Sequence, residues 1–79
     1  MSPTVLRLRG YRFYFFSREE ARAHVHVQHA NGEAKFWLDP RLELAQNYGL
    51  TRSRINTDLK IIQEHQDEIL AAWAKHFGG

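Results

Sequence analysis

Hydrophobic periodicity changes once along this chain, and the change limits what it can fold into. Up to residue 38 the apolar side chains recur at every second position, whereas from Thr51 they recur at every third or fourth. Residues two apart share a face of a strand, while residues three and four apart share a stripe of a helix. The alternation is clearest in His24-Val25-His26-Val27 and again in Glu33-Ala34-Lys35-Phe36-Trp37-Leu38. Between them Asn31-Gly32 is a strong hairpin signal. Val25, Val27, Ala34, Phe36 and Leu38 therefore fall on one face, toward a core. His24, His26, Glu33, Lys35 and Trp37 fall together on the other.

The same parity extends upstream. Leu6 and Leu8 alternate with Arg7 and Arg9, Gly10 marks a turn, and residues 11–16 form a second strand. With Tyr11, Phe13 and Phe15 facing the core, Arg12, Tyr14 and Phe16 join Arg7 and Arg9 on the opposite face. Residues 17–23 are polar and read as a loop or a single helical turn. Asp39-Pro40 ends the fourth strand, because proline cannot donate to a ladder. In residues 41–48, Leu42 and Leu44 alternate with Arg41 and Glu43 as a short fifth strand, which Gly49 breaks. The helical stripe then runs through Ile55, Leu59, Ile62, Ile69, Leu70, Trp73 and Phe77, with Thr51 or Ser53 as N-cap. One continuous helix would be about 39 Å long, too long for so small a sheet. Gln66 interrupts the stripe, so a break within residues 64–66 into two helices is the preferred reading. The expected fold is α+β: an antiparallel sheet of four or five strands, with one or two C-terminal helices on one face. Residues 1–79 make a single domain, with a β portion over 1–48 and a helical portion over 51–77.

A chain of 79 residues buries only about 60% of its unfolded surface, so its stability is marginal unless supplemented. Cysteine is absent, which excludes disulfides and thiolate metal sites. Homodimerisation, a partner or a tight aromatic core remain as supplements. No apolar run is long enough for a signal peptide or a membrane span, so a cytoplasmic protein without membrane contact is expected. The net charge of +2 is unevenly placed. Residues 1–30 carry five Arg against two Glu, a balance of +3; residues 31–79 carry six Lys or Arg against seven Asp or Glu, a balance of −1. The basic excess lies on the sheet, which suits an anionic partner.

Three chemistries fit the His/Lys/Trp face. A metal centre would use His24 and His26 as a His-x-His pair. It would need a third ligand from Glu33 or from His29, which lies on the opposite face by parity, and Lys35 would repel the cation. No metal and no cofactor is therefore expected. A metal-independent ribonuclease would use His24 and His26 as acid and base, since histidine is the side chain that ordinarily titrates near neutral pH. Lys35, Arg7, Arg9 or Arg12 would stabilise the phosphorane, and Trp37 and Tyr14 would stack on bases. A binding face without catalysis uses Arg7, Arg9, Arg12, Tyr14 and Trp37, with Lys35, to hold RNA or a partner protein. That reading needs no acid–base geometry and is the one adopted. His65 and His76 read as solvated, Asp67 and Glu68 as exposed or helix-start charges, and Trp73 and Phe77 as core. Asn47-Tyr48-Gly49 reads as a turn with a packed tyrosine.

Thr4-Val5-Leu6-Arg7, Tyr11-Arg12-Phe13-Tyr14-Phe15-Phe16-Ser17, His24-Val25-His26-Val27 and Gly32-Glu33-Ala34-Lys35-Phe36-Trp37-Leu38-Asp39-Pro40 together resemble a family of small bacterial proteins, domain-of-unknown-function family 4160. Leu44-Ala45-Gln46-Asn47-Tyr48-Gly49-Leu50 and the ending with Ala72-Trp73 and Phe77-Gly78 extend the resemblance over nearly the whole chain. Family members often carry proline just before the first histidine of the pair, where this chain has Ala23. The resemblance implies a toxin–antitoxin-like two-gene module, with a cognate small protein encoded by the neighbouring gene as partner. It implies no established activity.

Overall fold

The computed structural model describes residues 4–16, 21–30 and 32–77. Five strands precede two helices: β1 (Thr4–Leu8), β2 (Tyr11–Tyr14), β3 (His24–His29), β4 (Gly32–Trp37), β5 (Glu43–Tyr48), α1 (Arg52–Glu64) and α2 (Gln66–Phe77). The strands form one antiparallel meander in sequence order, with β1 and β5 at the edges. The α+β expectation holds, with the larger strand number and two helices. Residues 17–20, most of the expected loop, and Asn31 lie outside the described residues.

Register follows the alternation. Phe13 pairs with Val27 and Val27 with Ala34, while Val25 pairs with Phe36. All are fully buried or nearly so, together with Phe15, Leu38 and the helix residues Ile55, Ile61, Ile62 and Ile69. Burying such side chains is worth roughly 1.5–3 kcal/mol each, which is why the valine and phenylalanine face, not the histidine face, turns to the helices.

The β1–β2 hairpin uses a two-residue loop. Leu8 pairs with Tyr11, and the loop residues Arg9 and Gly10 both have positive φ, 54° and 82°. This is the pattern of a type I′ turn. His29 pairs with Gly32, so Gly32 belongs to β4 and not to the turn that the Asn31-Gly32 signal suggests, and Ala30 takes φ 51°. Gly32 serves a different purpose: a Cβ there would lie 2.7 Å from Leu50 Cδ2 and 2.9 Å from the Gly49 carbonyl carbon. Glycine lets β4 start directly beneath the chain leaving β5.

Thr51 caps α1, its Oγ1 accepting from the Arg54 amide at 3.2 Å. The break falls at His65, which ends α1 by donating its amide to the Ile61 and Ile62 carbonyls. Its own carbonyl then accepts from Ile69 at 2.9 Å as α2 begins. His65 Nδ1 also lies 2.9 Å from Glu68 Oε1, so this histidine organises the joint between the helices. Along α1 the buried positions are Ile55, Asp58, Ile61 and Ile62, with Leu59 only half-buried. The helix is thus turned so that an aspartate occupies the core side expected of leucine. The C-terminal part of α2 reaches the end of the sheet, where the Trp73 ring lies 5.3 Å from Phe15 and 4.9 Å from His24. No helix among the described residues is long and apolar enough to cross a membrane.

Candidate functional site

The face turned away from α1 carries the residues singled out by parity, in rows set by the register. One row is Tyr14, His26, Lys35 and Gln46; its neighbours are Arg12, Gln28, Glu33 and Tyr48 on one side and His24, Trp37 and Glu43 on the other. Arg7 pairs with Arg12 and so shares the face. A bulge in β5 between the partners of Lys35 and Phe36 sets Gln46 and Tyr48 on it.

Two histidines separated by a single residue are not equivalent here. His24 is completely buried, its ring 5.7 Å from Trp37 and 4.9 Å from Trp73. Its Nδ1 lies 2.6 Å from the Arg22 carbonyl, which can only accept, so Nδ1 carries the proton. The expectation that His24 faces solvent as an acid or base is therefore corrected: α2 closes over it. His26 remains half-buried, with its ring stacked 5.4 Å from Tyr14 and 4.5 Å from Phe16.

The cations and the expected stacking residues are largely engaged with one another. The Arg12 guanidinium covers the Tyr14 ring at 4.5 Å, and its Nε donates to Thr4 Oγ1 at 2.8 Å. Arg22 lies over Trp37 at 4.2 Å, donates to the Asp39 carbonyl at 2.7 Å and meets Glu43 at 3.3 Å. Lys35, itself nearly buried, places Nζ 4.5 Å from the Trp37 centroid. Each such contact is worth about 0.5–2 kcal/mol. Tyr14 is only 4% exposed and Trp37 half-buried, so neither offers a bare ring. Arg9 sits in the β1–β2 turn rather than on the sheet row, where it borders a shallow depression with Arg7 and Arg12.

Two aromatics that the sequence reading did not select take the exposed role. Phe16 is 40% exposed and Tyr48 59% exposed. Both border a cleft of about 230 Å³ whose other walls, among the described residues, are His26, Glu33, Ala34, Lys35 and Gln46. Glu33 is held in place by Tyr14, whose hydroxyl donates to its Oε2 at 3.1 Å. Tyr48 is not the packed turn tyrosine expected of it. The turn is instead built by Asn47, whose side chain donates to the Leu50 carbonyl at 2.9 Å and accepts from its amide at 3.0 Å. Parity places Phe16 on this face with Arg12 and Tyr14, although the binding set read from the sequence leaves it out. The β5 bulge hid Tyr48.

On the core side of the sheet lies a second feature without a sequence signal. Asp58 is fully buried, and neither carboxylate oxygen has a hydrogen-bond partner among the described residues. Burial pushes its pKa up from 3.8 to about 7, against the opposing pull of Arg54 one turn earlier. Arg54 in turn donates to His29 Nε2 at 3.1 Å, and the His29 ring lies 4.2 Å from Tyr11. Among the described residues no three His, Cys, Asp or Glu side chains converge as metal ligands would.

The model of the family described as Domain of unknown function (DUF4160) matches residues 10–74. The chain belongs to this family. The DUF4160 match takes in β2 to β5, α1 and most of α2, and with them His26, Lys35, Tyr48 and the cleft. Arg7 and Arg9 precede it, so the cleft belongs to the DUF4160 domain and the first two arginines are peripheral to it. Among curated proteins and solved structures, none matches the chain.

Proposed function

We propose that this protein is the RNA-binding component of a toxin–antitoxin-like two-gene module, holding single-stranded RNA across its open sheet face without cleaving it. The observation that carries this reading is the cleft: two exposed aromatic rings, Phe16 and Tyr48, border a polar floor containing Lys35. Arg12 and Arg22 lie on the same face. Exposed rings beside a cationic track are how single strands are held, because every base has a face that stacks. The cleft is smaller than the roughly 300–1,000 Å³ of sites that enclose a whole small molecule, which suits one unit of a polymer.

Cleavage by the imidazole pair is less well supported. His24 offers a phosphodiester no surface, and its Nδ1 proton is held by the Arg22 carbonyl. A His-x-His metal site meets the same obstacle. A second contact, with the cognate small protein of the module or a second copy of this chain, draws support from β5. It is an edge strand carrying Leu44 at 42% exposure, and free edges accept further strands.

The test is the salt dependence of binding to a labelled single-stranded RNA. Arg7 is exposed, whereas Arg12, Arg22 and Lys35 must exchange present contacts for phosphate, so one to four contacts at about −0.7 each on a single strand predict a log–log slope of roughly −1 to −3. No binding at low salt, or binding that salt does not weaken, removes the proposal.

A further inference from the structure

We propose that the cleft beside Tyr48 is a guanine pocket: it receives one unpaired guanine base of a single-stranded RNA, read by the Glu33 carboxylate. The inference rests on the RNA-binding reading and adds to it the identity of the base.

Glu33 is anomalous on a face that holds phosphates. An exposed carboxylate repels the RNA backbone, so it weakens binding unless a donor on the ligand meets it. Its position is fixed rather than free, because Tyr14 donates to Oε2 at 3.1 Å. Ionised carboxylates offer about four acceptor sites, so the pair of oxygens can still accept two further N–H groups. Of the four RNA bases only guanine presents two adjacent donors, N1–H and the 2-amino group, on its pairing edge. Adenine and cytosine set a ring nitrogen acceptor beside their amino group, and uracil flanks its single N–H with two carbonyls. A carboxylate facing those edges meets lone pairs.

The rest of the cleft suits the remaining edge of guanine. Its O6 carbonyl requires a donor. Lys35 lies two residues along β4 from Glu33, about 6.7 Å at the usual strand rise, and Gln46 pairs with Lys35 on β5. Both border the cleft, as do the two exposed rings: Phe16, leaning on His26 at 4.5 Å, and Tyr48, directly opposite Glu33 in register. A base edge turned toward Glu33 therefore has a ring beside it on which to stack.

The test uses the full chain and four fluorescent RNA octamers of uridine that differ at one central position: guanosine, inosine, adenosine or uridine. Fluorescence anisotropy at fixed low salt reads their affinities. The expected order places guanosine about tenfold or more ahead of adenosine and uridine, as a bidentate base contact provides. Inosine, which keeps N1–H but lacks the 2-amino group, falls between. Glu33→Gln abolishes the guanosine advantage, keeps the melting temperature, and binds the uridine octamer as well as or better than the parent because a repulsive charge is gone. Equal affinity for all four octamers, with normal salt dependence, overturns the guanine pocket and leaves RNA binding standing. A guanosine preference that survives Glu33→Gln overturns the assignment to Glu33. Absence of binding to any octamer at low salt overturns the RNA-binding reading itself.

Discussion

Replacing Asp58 by asparagine removes one negative charge from a buried site where Arg54 offsets the cost of burial only in part. The carboxyl group is fully buried, and neither oxygen has a hydrogen-bond partner among the described residues. Burial therefore pushes its pKa from 3.8 to about 7. In the unfolded chain the group loses its proton near 3.8, whereas in the folded chain it keeps it to about 7. Between those values the folded state binds more protons, so stability falls as pH rises and levels off above 7. The full gap amounts to about 4 kcal/mol at 1.36 kcal/mol per pH unit. This is a ceiling, because any water reaching the carboxylate lowers it. Between pH 5 and pH 8 the share is about 3 kcal/mol, a large part of the stability of a domain this small. Urea unfolding of the parent and of Asp58→Asn across that range isolates the effect, because other titrating groups cancel in the difference. The stability of the variant relative to the parent should grow by up to about 3 kcal/mol from pH 5 to pH 8, whatever the fixed cost of burying the amide. A difference that stays flat across the range would refute the reasoning.

Four further outcomes follow from particular residues. Ala30 occupies the left-handed region, so Ala30→Gly should raise stability by about 0.5–1 kcal/mol once the greater unfolded freedom of glycine is subtracted, read as a melting temperature a few degrees higher. Gly32→Ala should do the reverse, costing roughly 1–3 kcal/mol, since its Cβ would press on Leu50 and the Gly49 backbone. Truncating the enclosed His24 to alanine should cost roughly 2–4 kcal/mol in urea unfolding and leave the RNA affinity of the folded protein unchanged. An affinity loss without a stability loss would show that His24 is a contact after all. His26→Ala, on the wall of the cleft, should weaken RNA binding in an anisotropy titration while changing the melting temperature far less.

Much of the fold was legible because periodicity reports which face is buried. Parity alone put Val25, Val27, Ala34, Phe36 and Leu38 inside, and Gln66 in the apolar stripe marked the joint that His65 makes between α1 and α2. Finding Gly32 in β4 opposite His29, and not in the turn, left every face assignment intact, since it slides the pairing by two residues and keeps the parity. The site was less legible, because alternation assigns a face but not what covers it. His24 and Trp37 lie on the expected side. Yet Trp73, from a helix expected on the other side, encloses the first, and Arg22 and Lys35 flank the second. Tyr48 was missed because a one-residue bulge in β5 breaks the count that parity depends on. Asp58 was missed because helical periodicity admits a one-residue rotation, and a rule that seeks apolar residues prefers Leu59.

In the proposed function the exposed rings of the cleft hold unpaired bases. The decisive comparison sets the parent against Tyr48→Ala on one RNA sequence, presented as a single strand and as a duplex. Tyr48 is 59% exposed, so its loss should leave the melting temperature unchanged. Loss of one base-stacking partner is worth about 1–3 kcal/mol, so the variant should bind the single strand roughly tenfold more weakly and the duplex no differently. The parent should prefer the single strand. Equal affinity of the parent for both forms, or single-strand binding that Tyr48→Ala leaves unchanged, would contradict the account.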